Sequence, residues 1–267
     1  MDDWLAISPA FKAMAVAGWF ALFLILEQLW PAAIPPTQAR FPGPGWHRLL
    51  ANFGLWGLNA LLSLAIVLPL TQAAAQAWPA LGSCRPGWWS GVPGLLLDLL
   101  LLDFWIYWWH RANHVIPLLW RFHEVHHRDE FLDASSAVRF HFGEVVLSAL
   151  VRAAIIVPLG LPLASILAFE TLVLLAAIFH HSNLRLPVWL ERPLSWIVVT
   201  PSIHWVHHHA LRADTDSNYS TFLSLWDRLF ASRSPNPREP QMKIGVEGRQ
   251  DAPIQRLLLL PFRRDPQ

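Results

Sequence analysis

Apolar runs alternate along this chain with short segments dense in His, Arg and Pro. Three of the runs, about Ala13 to Trp30, Leu49 to Trp78 and Val92 to Trp109, are long enough for a helix to cross a hydrocarbon core, which takes roughly 20 residues. A Pro-rich stretch, Pro31 to Pro44, separates the first two. Two shorter runs, about Val145 to Leu159 and Leu163 to Phe179, are joined by Gly160-Leu161-Pro162 and read as a tight helical hairpin or a re-entrant pair whose two ends share one side. The pattern therefore predicts an all-α integral-membrane bundle of about three long transmembrane helices plus a short helical hairpin. The doubled HxxHH is its one internal repetition.

Composition agrees with a membrane class: 54% of residues are hydrophobic, 15% are charged, and there are 16 Trp against 2 Tyr. Trp105, Tyr107, Trp108 and Trp109 close the third run, where amphipathic rings favour the headgroup level. An individual tryptophan such as Trp205 is a candidate wall for a substrate channel. A net charge of +1 without a basic stripe argues against nucleic acid as a partner. The N-terminus carries Asp2 and Asp3, with only Lys12 as a basic residue, so the first apolar segment is expected to be retained as a span. Arg40, Arg48, Arg111, Arg121, Arg128, Arg139, Arg185, Arg192 and Arg212 fall on one side of the predicted spans, and Lys12 and Arg85 on the other. The positive-inside bias then puts the N-terminus outside and every histidine cluster on the cytoplasmic face of a multi-pass protein. After Ser232 a Pro- and Arg-rich tail, with a short apolar patch at Leu257 to Leu260, reads as a cytoplasmic extension.

The histidines carry the chemistry. They recur as HxxxH (His110, His114), HxxHH (His123, His126, His127), HH (His180, His181) and HxxHH (His204, His207, His208). Side chains three or four apart on a helix share a face about 5–6 Å apart, close enough to share or bridge metals. Adjacent histidines diverge by about 100°, so the second and third of each triplet can serve two neighbouring metals. A closed zinc site needs four ligands, whereas this chain offers about twice as many and only Cys84 as a thiol. That donor set points to a binuclear centre of nitrogen ligands with positions left open for chemistry. Nine candidate metal ligands follow: His110, His114, His123, His126, His127, His181, His204, His207 and His208. His180 is read as a partner or packing neighbour of His181, His141 as a supporting residue, His209 as outside the ligand set and His47 as an interfacial anchor. Asp103 lies seven residues before His110 on the same helical face and could accept the free ring N–H of a ligand histidine; its alternative is an Arg or Trp N–H partner. Asp98 lies deeper and off that face. No acid or base is assigned beyond the ligands.

These motifs also resemble a known family. Asp103-Phe-Trp-Ile-Tyr107-Trp-Trp-His110-Arg-Ala-Asn-His114, then Trp120-Arg-Phe-His123-Glu-Val-His126-His127, His181-Ser-Asn183, Pro201-Ser-Ile-His204-Trp-Val-His207-His208, Asn218-Tyr219 and Leu225-Trp226-Asp227-Arg228-Leu229-Phe230 follow one another in order. The set is similar to the signature of the fatty acid hydroxylase/sterol desaturase superfamily of integral-membrane di-iron oxygenases. That group includes C-4 sterol methyl oxidase, fatty acid 2-hydroxylase and alkylglycerol monooxygenase. The resemblance covers about Leu95 to Ser232 and divides the chain into N-terminal transmembrane helices (1–94), a catalytic domain (95–232) and a C-terminal tail (233–267). It implies two irons at the cytosolic interface, O2 as co-substrate, a lipid to hydroxylate or desaturate and a role in lipid metabolism. Zinc would be a substitute acquired on purification. Asn183 joins Asp103, His141 and His180 as a supporting residue. The chain departs from the His-Pro-x-x-Glu of many relatives with His141-Phe-Gly-Glu144, and it is expected to carry no attached cytochrome b5 domain. Electrons would then come from a separate reductase, ferredoxin or cytochrome b5-like protein. Two rival readings are a di-zinc membrane hydrolase, which would activate water instead of O2, and a metal transporter or sensor.

Overall fold

The computed structural model describes residues 9–36, 45–81 and 85–263. Asp2, Asp3, Arg40 and Cys84, which entered the topology and ligand expectations, lie outside the described residues.

Among the described residues, five helical segments are long and apolar enough to cross a membrane: Lys12–Leu29, Trp46–Ala77, Gly91–Val115, Phe142–Leu159 and Leu163–His181. The first belongs to α1 (Pro9–Leu29). The second begins as α2 (Trp46–Leu62), widens into a π-helical turn at Ser63–Val67 and continues as α3 (Leu68–Leu81). Pro69 explains the widening, because it has no N–H and its ring would collide with the carbonyl four residues back; the wider turn moves that carbonyl aside. α4 (Gly91–Val115) stops where Ile116 precedes Pro117 and takes an extended conformation (φ −90°, ψ 114°), and Pro117 then opens α5 (Pro117–His127). α6 (Phe142–Leu159) ends on Gly160 in the left-handed region (φ 58°), from which the chain turns through Pro162 into α7 (Leu163–His181).

The helical membrane class is as expected, but the count is five spans instead of three and a short hairpin. α6 and α7 hold 18 and 19 residues because they run on through Glu144 at one end and His180 and His181 at the other. Those polar ends look like helix boundaries in the hydropathy pattern, yet they are buried inside the protein. The parity of the topology is unchanged, since a hairpin that crosses twice and one that re-enters both return to the side they left.

α1, α4 and the turn preceding α6 pack on α7, while α3 packs on α6. Leu61, Leu64, Leu96 and Ile25 stay exposed on the outward faces, as lipid-facing side chains would. At the end of the bundle away from the histidines, buried Asp98 accepts hydrogen bonds from Arg85 (2.9 Å), Trp89 (2.8 Å) and Ser165 (2.6 Å) and so ties α4 to the first turn of α7.

Beyond α7 the chain makes short helices over the opposite end: α8 (Val188–Leu194), α9 (Pro201–His207), α10 (Arg212–Thr215) and α11 (Leu225–Leu229). The tail folds back as a strap. Gly245 N–H donates to His208 O (3.1 Å), Ala210 N–H donates to Lys243 O (2.7 Å), and α12 (Ile254–Leu259) buries Leu257 against Ala51, Leu55 and Val125. The apolar patch in the tail is therefore core contact.

Candidate metal centre

Three local rules deliver the histidines to one place. The C-terminal turns of α4 and α5 present HxxxH and HxxHH; Pro117 sets the sharp bend that folds α5 back beside α4; and α9, opened by Pro201, presents the second HxxHH. His181 comes from the last residue of α7.

The nine candidates form two groups. His110, His114, His123, His127 and His207 make one, and His126, His181, His204 and His208 make the other; within each, one nitrogen per residue lies within 4.8 Å of all the rest. The adjacent histidines of both triplets part company, His126 from His127 and His207 from His208, as a helical turn of about 100° between neighbours requires. All but His110 are buried.

The ring nitrogens have a consistent polarity. Nδ1 of His110, His126, His181 and His207 donates to the backbone carbonyls of Tyr219 (2.8 Å), Arg139 (3.0 Å), Ala177 (2.8 Å) and Ser217 (2.6 Å). Nδ1 of His123 donates to the Glu144 carboxylate at 2.9 Å. With the proton on Nδ1, a neutral imidazole carries its lone pair on Nε2. Yet the Nε2 atoms face each other, His181 to His126 at 3.2 Å and His207 to His110 at 3.1 Å. Further Nε2 pairs stand at 3.2 Å (His127 to His123), 3.0 Å (His204 to His181) and 3.1 Å (His208 to His204). Burial pushes His126, His127, His204, His207 and His208 well below the ordinary histidine range, and their histidine neighbours push them further, so protonation does not relieve these contacts. In the His181–His126 and His207–His110 pairs both Nδ1 atoms are donors, so two lone pairs face each other, and these repel unless a cation lies between them. Metal–imidazole bonds of about 2.1 Å at right angles put their nitrogens about 3.0 Å apart, which is the spacing found here. The residues fit a pair of metal ions, one with five and one with four nitrogen ligands.

The supporting residues behave differently from one another. Asp103 accepts from Trp226 Nε1 (2.7 Å) and Leu223 N (3.2 Å), the tryptophan alternative, and reaches no histidine. His141 turns away: its Nδ1 accepts from Gly143 N (2.9 Å), capping α6, and its Nε2 donates to Leu258 O in the strap (3.1 Å). His180 is buried with its ring 4.0 Å from that of His204, outside both groups. Asn183 is a structural tie: Nδ2 donates to Ala33 O (2.8 Å), Oδ1 accepts from Ala33 N (3.0 Å), and its own N–H donates to Glu27 (3.0 Å). His209 pairs with Asp214 at 2.8 Å, outside the ligand groups.

Two residues not singled out in the sequence matter here. Glu144 orients His123, and its other oxygen, Oε2, is buried without a partner among the described residues. The signal was a carboxylate in the first turn of an apolar span, which is costly unless paired. Arg139 is fully buried; its carbonyl holds His126, while its guanidinium donates to Val125 O (3.0 Å), Asn52 (2.9 Å) and Asp251 of the strap. Beneath it Asp129 accepts from Arg48 at 2.5 Å; burial works to raise this carboxyl, and Arg48 with Arg139 outweighs it and holds the carboxyl below its ordinary range.

A cavity of about 410 Å³ opens directly onto His110, His123, His126, His181 and His204. Its walls are largely apolar, among them Ile106, Phe140, Phe169 and Val173, and its tryptophan is Trp109. Trp205 is instead buried beneath Arg238, whose guanidinium lies 3.8 Å from the ring centre.

Comparison with known proteins finds the fatty acid hydroxylase family in residues 95–232. Among curated relatives, the ornithine lipid hydroxylase OlsE of Rhizobium tropici is 28% identical over 82% of this chain and 65% of its own length. Alkylglycerol monooxygenase of Xenopus tropicalis is 30% identical over 55% of this chain and 30% of its own, and the very-long-chain aldehyde decarbonylase GL1-5 of Oryza sativa subsp. indica is 32% identical over 56% and 25%. The chain thus spans less than two thirds of these relatives' length. No solved structure matches it significantly.

Proposed function

The chain belongs to the fatty acid hydroxylase family, and on that premise we propose that it is a membrane-bound non-haem di-iron oxygenase. In this reading it hydroxylates or desaturates a lipid, using O2 and electrons from a separate donor protein. The observation that carries it is the facing Nε2 pairs, His126 with His181 and His110 with His207, set against an apolar cavity. Nine imidazoles and no thiolate leave two first-row metals with room for further ligands, which a tetrahedral structural zinc site would not have. The nine histidines are the proposed ligands, residues 95–232 the catalytic unit, residues 1–94 its membrane scaffold and residues 233–267 its strap.

Irons bound there would supply oxidising power from O2 for attack on a C–H bond. The chain's own residues do the rest. The carbonyls of Arg139, Ala177, Ser217 and Tyr219 and the carboxylate of Glu144 fix the imidazole tautomers, so that every Nε2 they control points inward. The walls at Ile106, Phe140, Phe169 and Val173 exclude water and align an acyl or other apolar chain with one carbon at the histidines. The Arg-rich segments around α5 and α9 support a cytoplasmic orientation for the centre, where a soluble electron donor would dock.

The test is metal analysis after anaerobic purification from iron-replete cells, paired with Mössbauer spectroscopy. The reading expects about two irons per chain in a coupled pair, with O2 consumed on reduction. Iron-free protein that holds zinc and consumes no O2 would move the assignment to a di-zinc hydrolase.

A further inference from the structure

The cavity does not end in hydrocarbon. Away from the histidines its wall carries Arg152 on α6, Glu170 on α7, Ser148 one turn before Arg152, and Ser63 in the π-helical turn. Arg152 Nη2 and Glu170 Oε1 are 2.8 Å apart, and both side chains are mostly buried. Arg152 Nε is buried with no partner among the described residues. Arg152 lies eight residues beyond Glu144, about 12 Å along α6, and Glu170 eleven residues before His181, about 16 Å along α7. Both positions are near the middle of spans of 18 and 19 residues.

Ionisable groups at that depth are costly and as a rule serve a pathway or a ligand. Three separate elements contribute polar atoms to this one patch, and the helix that supplies Ser63 departs there from regular α geometry, as helices often do at binding sites. The guanidinium has five N–H donors, of which the carboxylate of Glu170 engages a part, so what the patch lacks is an acceptor. We infer that Arg152 and Glu170 form a polar subsite for an oxygen function of the lipid substrate, a hydroxyl or acyl oxygen, separated from the carbon at the histidines by a chain of roughly ten carbons. This rests on the histidine centre being the reacting end. The substrate class is then an amphiphile read from both ends, and the ion pair sets which carbon reaches the centre.

The test uses the full chain, metal-loaded, in lipid nanodiscs under nitrogen, with 1-dodecanol bearing a photoreactive diazirine at its last carbon. After irradiation the labelled peptides are mapped by mass spectrometry. The expected label falls on the histidine end, on Trp109, Phe140 or their neighbours, and is competed by unlabelled 1-dodecanol and far less by dodecane. In the double variant Arg152→Met/Glu170→Met the label falls at least fivefold at that end or spreads to both ends of the cavity; Arg152→Lys, which keeps the charge pair, retains most of it. Label absent from the cavity, equal competition by dodecane, or an unchanged pattern in the double variant would leave the pair as a structural tie between α6 and α7 and overturn the subsite. Competition in the unaltered chain decides the matter if the double variant does not fold. The pattern is read without turnover, so a failed iron or O2 result leaves it interpretable.

Discussion

Glu144 accepts a hydrogen bond from Nδ1 of His123 at 2.9 Å, joining the head of a membrane span to a helix of the histidine centre. The contact fixes the tautomer of His123 and makes its Nε2 a stronger donor to a metal. Glu144→Ala should lower metal affinity about 10- to 100-fold, the usual effect of losing such a partner, while Glu144→Gln, which keeps an acceptor oxygen, should lower it less. Competition with a chelator of known affinity measures both. Equal affinities for wild type and Glu144→Ala would mean that the contact only packs α6.

The two groups are unequal, and single substitutions should reveal it. His208 belongs to the four-histidine group and His114 to the five-histidine group, where His114 Nδ1 lies 3.4 Å from Asp216 Oδ1 and its Nε2 has no hydrogen-bond partner among the described residues. His208→Ala should lower the metal content of its group more than His114→Ala does, because it leaves three protein nitrogens against four. His114→Ala should leave its group four nitrogens and so retain more metal, with affinity lower by about tenfold. Metal counts on the purified variants, alongside wild type, distinguish them. The reverse order would contradict the grouping.

Local spacing made the individual histidines legible, because HxxxH and HxxHH are properties of one helical turn. Which histidines share a metal was only half legible. Divergence of about 100° separates His126 from His127, but that His126 joins His181 and His208 depends on how α5, α7 and α9 meet. The hairpin looked short for a related reason: hydropathy reads Glu144, His180 and His181 as ends, and only tertiary burial shows them to be inside. The tail was least legible, since Pro- and Arg-rich composition does not reveal that Asp251 reaches Arg139 or that Leu257 enters the core.

Asp251 closes the shell around Arg139, whose carbonyl holds His126. Removing one partner of a buried pair costs about 3–5 kcal/mol; Asp251 is partly exposed and Asn52 remains with Arg139, so Asp251→Ala should cost about 2 kcal/mol. Asp251→Asn should recover part of that loss. Thermal unfolding of the metal-loaded protein in detergent reads the stability. A simultaneous change in the metal's spectrum would show that the strap acts through Arg139 on His126, whereas a stability loss with an unaltered spectrum would confine it to folding.

Gly143 is a close approach of α6 to Phe122 of α5. A Cβ added there would stand 2.5 Å from Phe122 Cε1 and 2.7 Å from its Cδ1. The Phe122 ring packs on His141 and Phe262, so the added methyl presses on that ring and on the head of α6 together. Glu144 is the next residue, and any such shift lengthens its bond to His123. Gly143→Ala should therefore destabilise the fold by about 1–3 kcal/mol through overpacking and also weaken metal binding, though less than Glu144→Ala. The companion variant Phe122→Leu/Gly143→Ala should restore part of the metal affinity by making room for the new methyl. If Gly143→Ala lowers Tm and leaves affinity untouched, the position of Glu144 does not depend on this close approach.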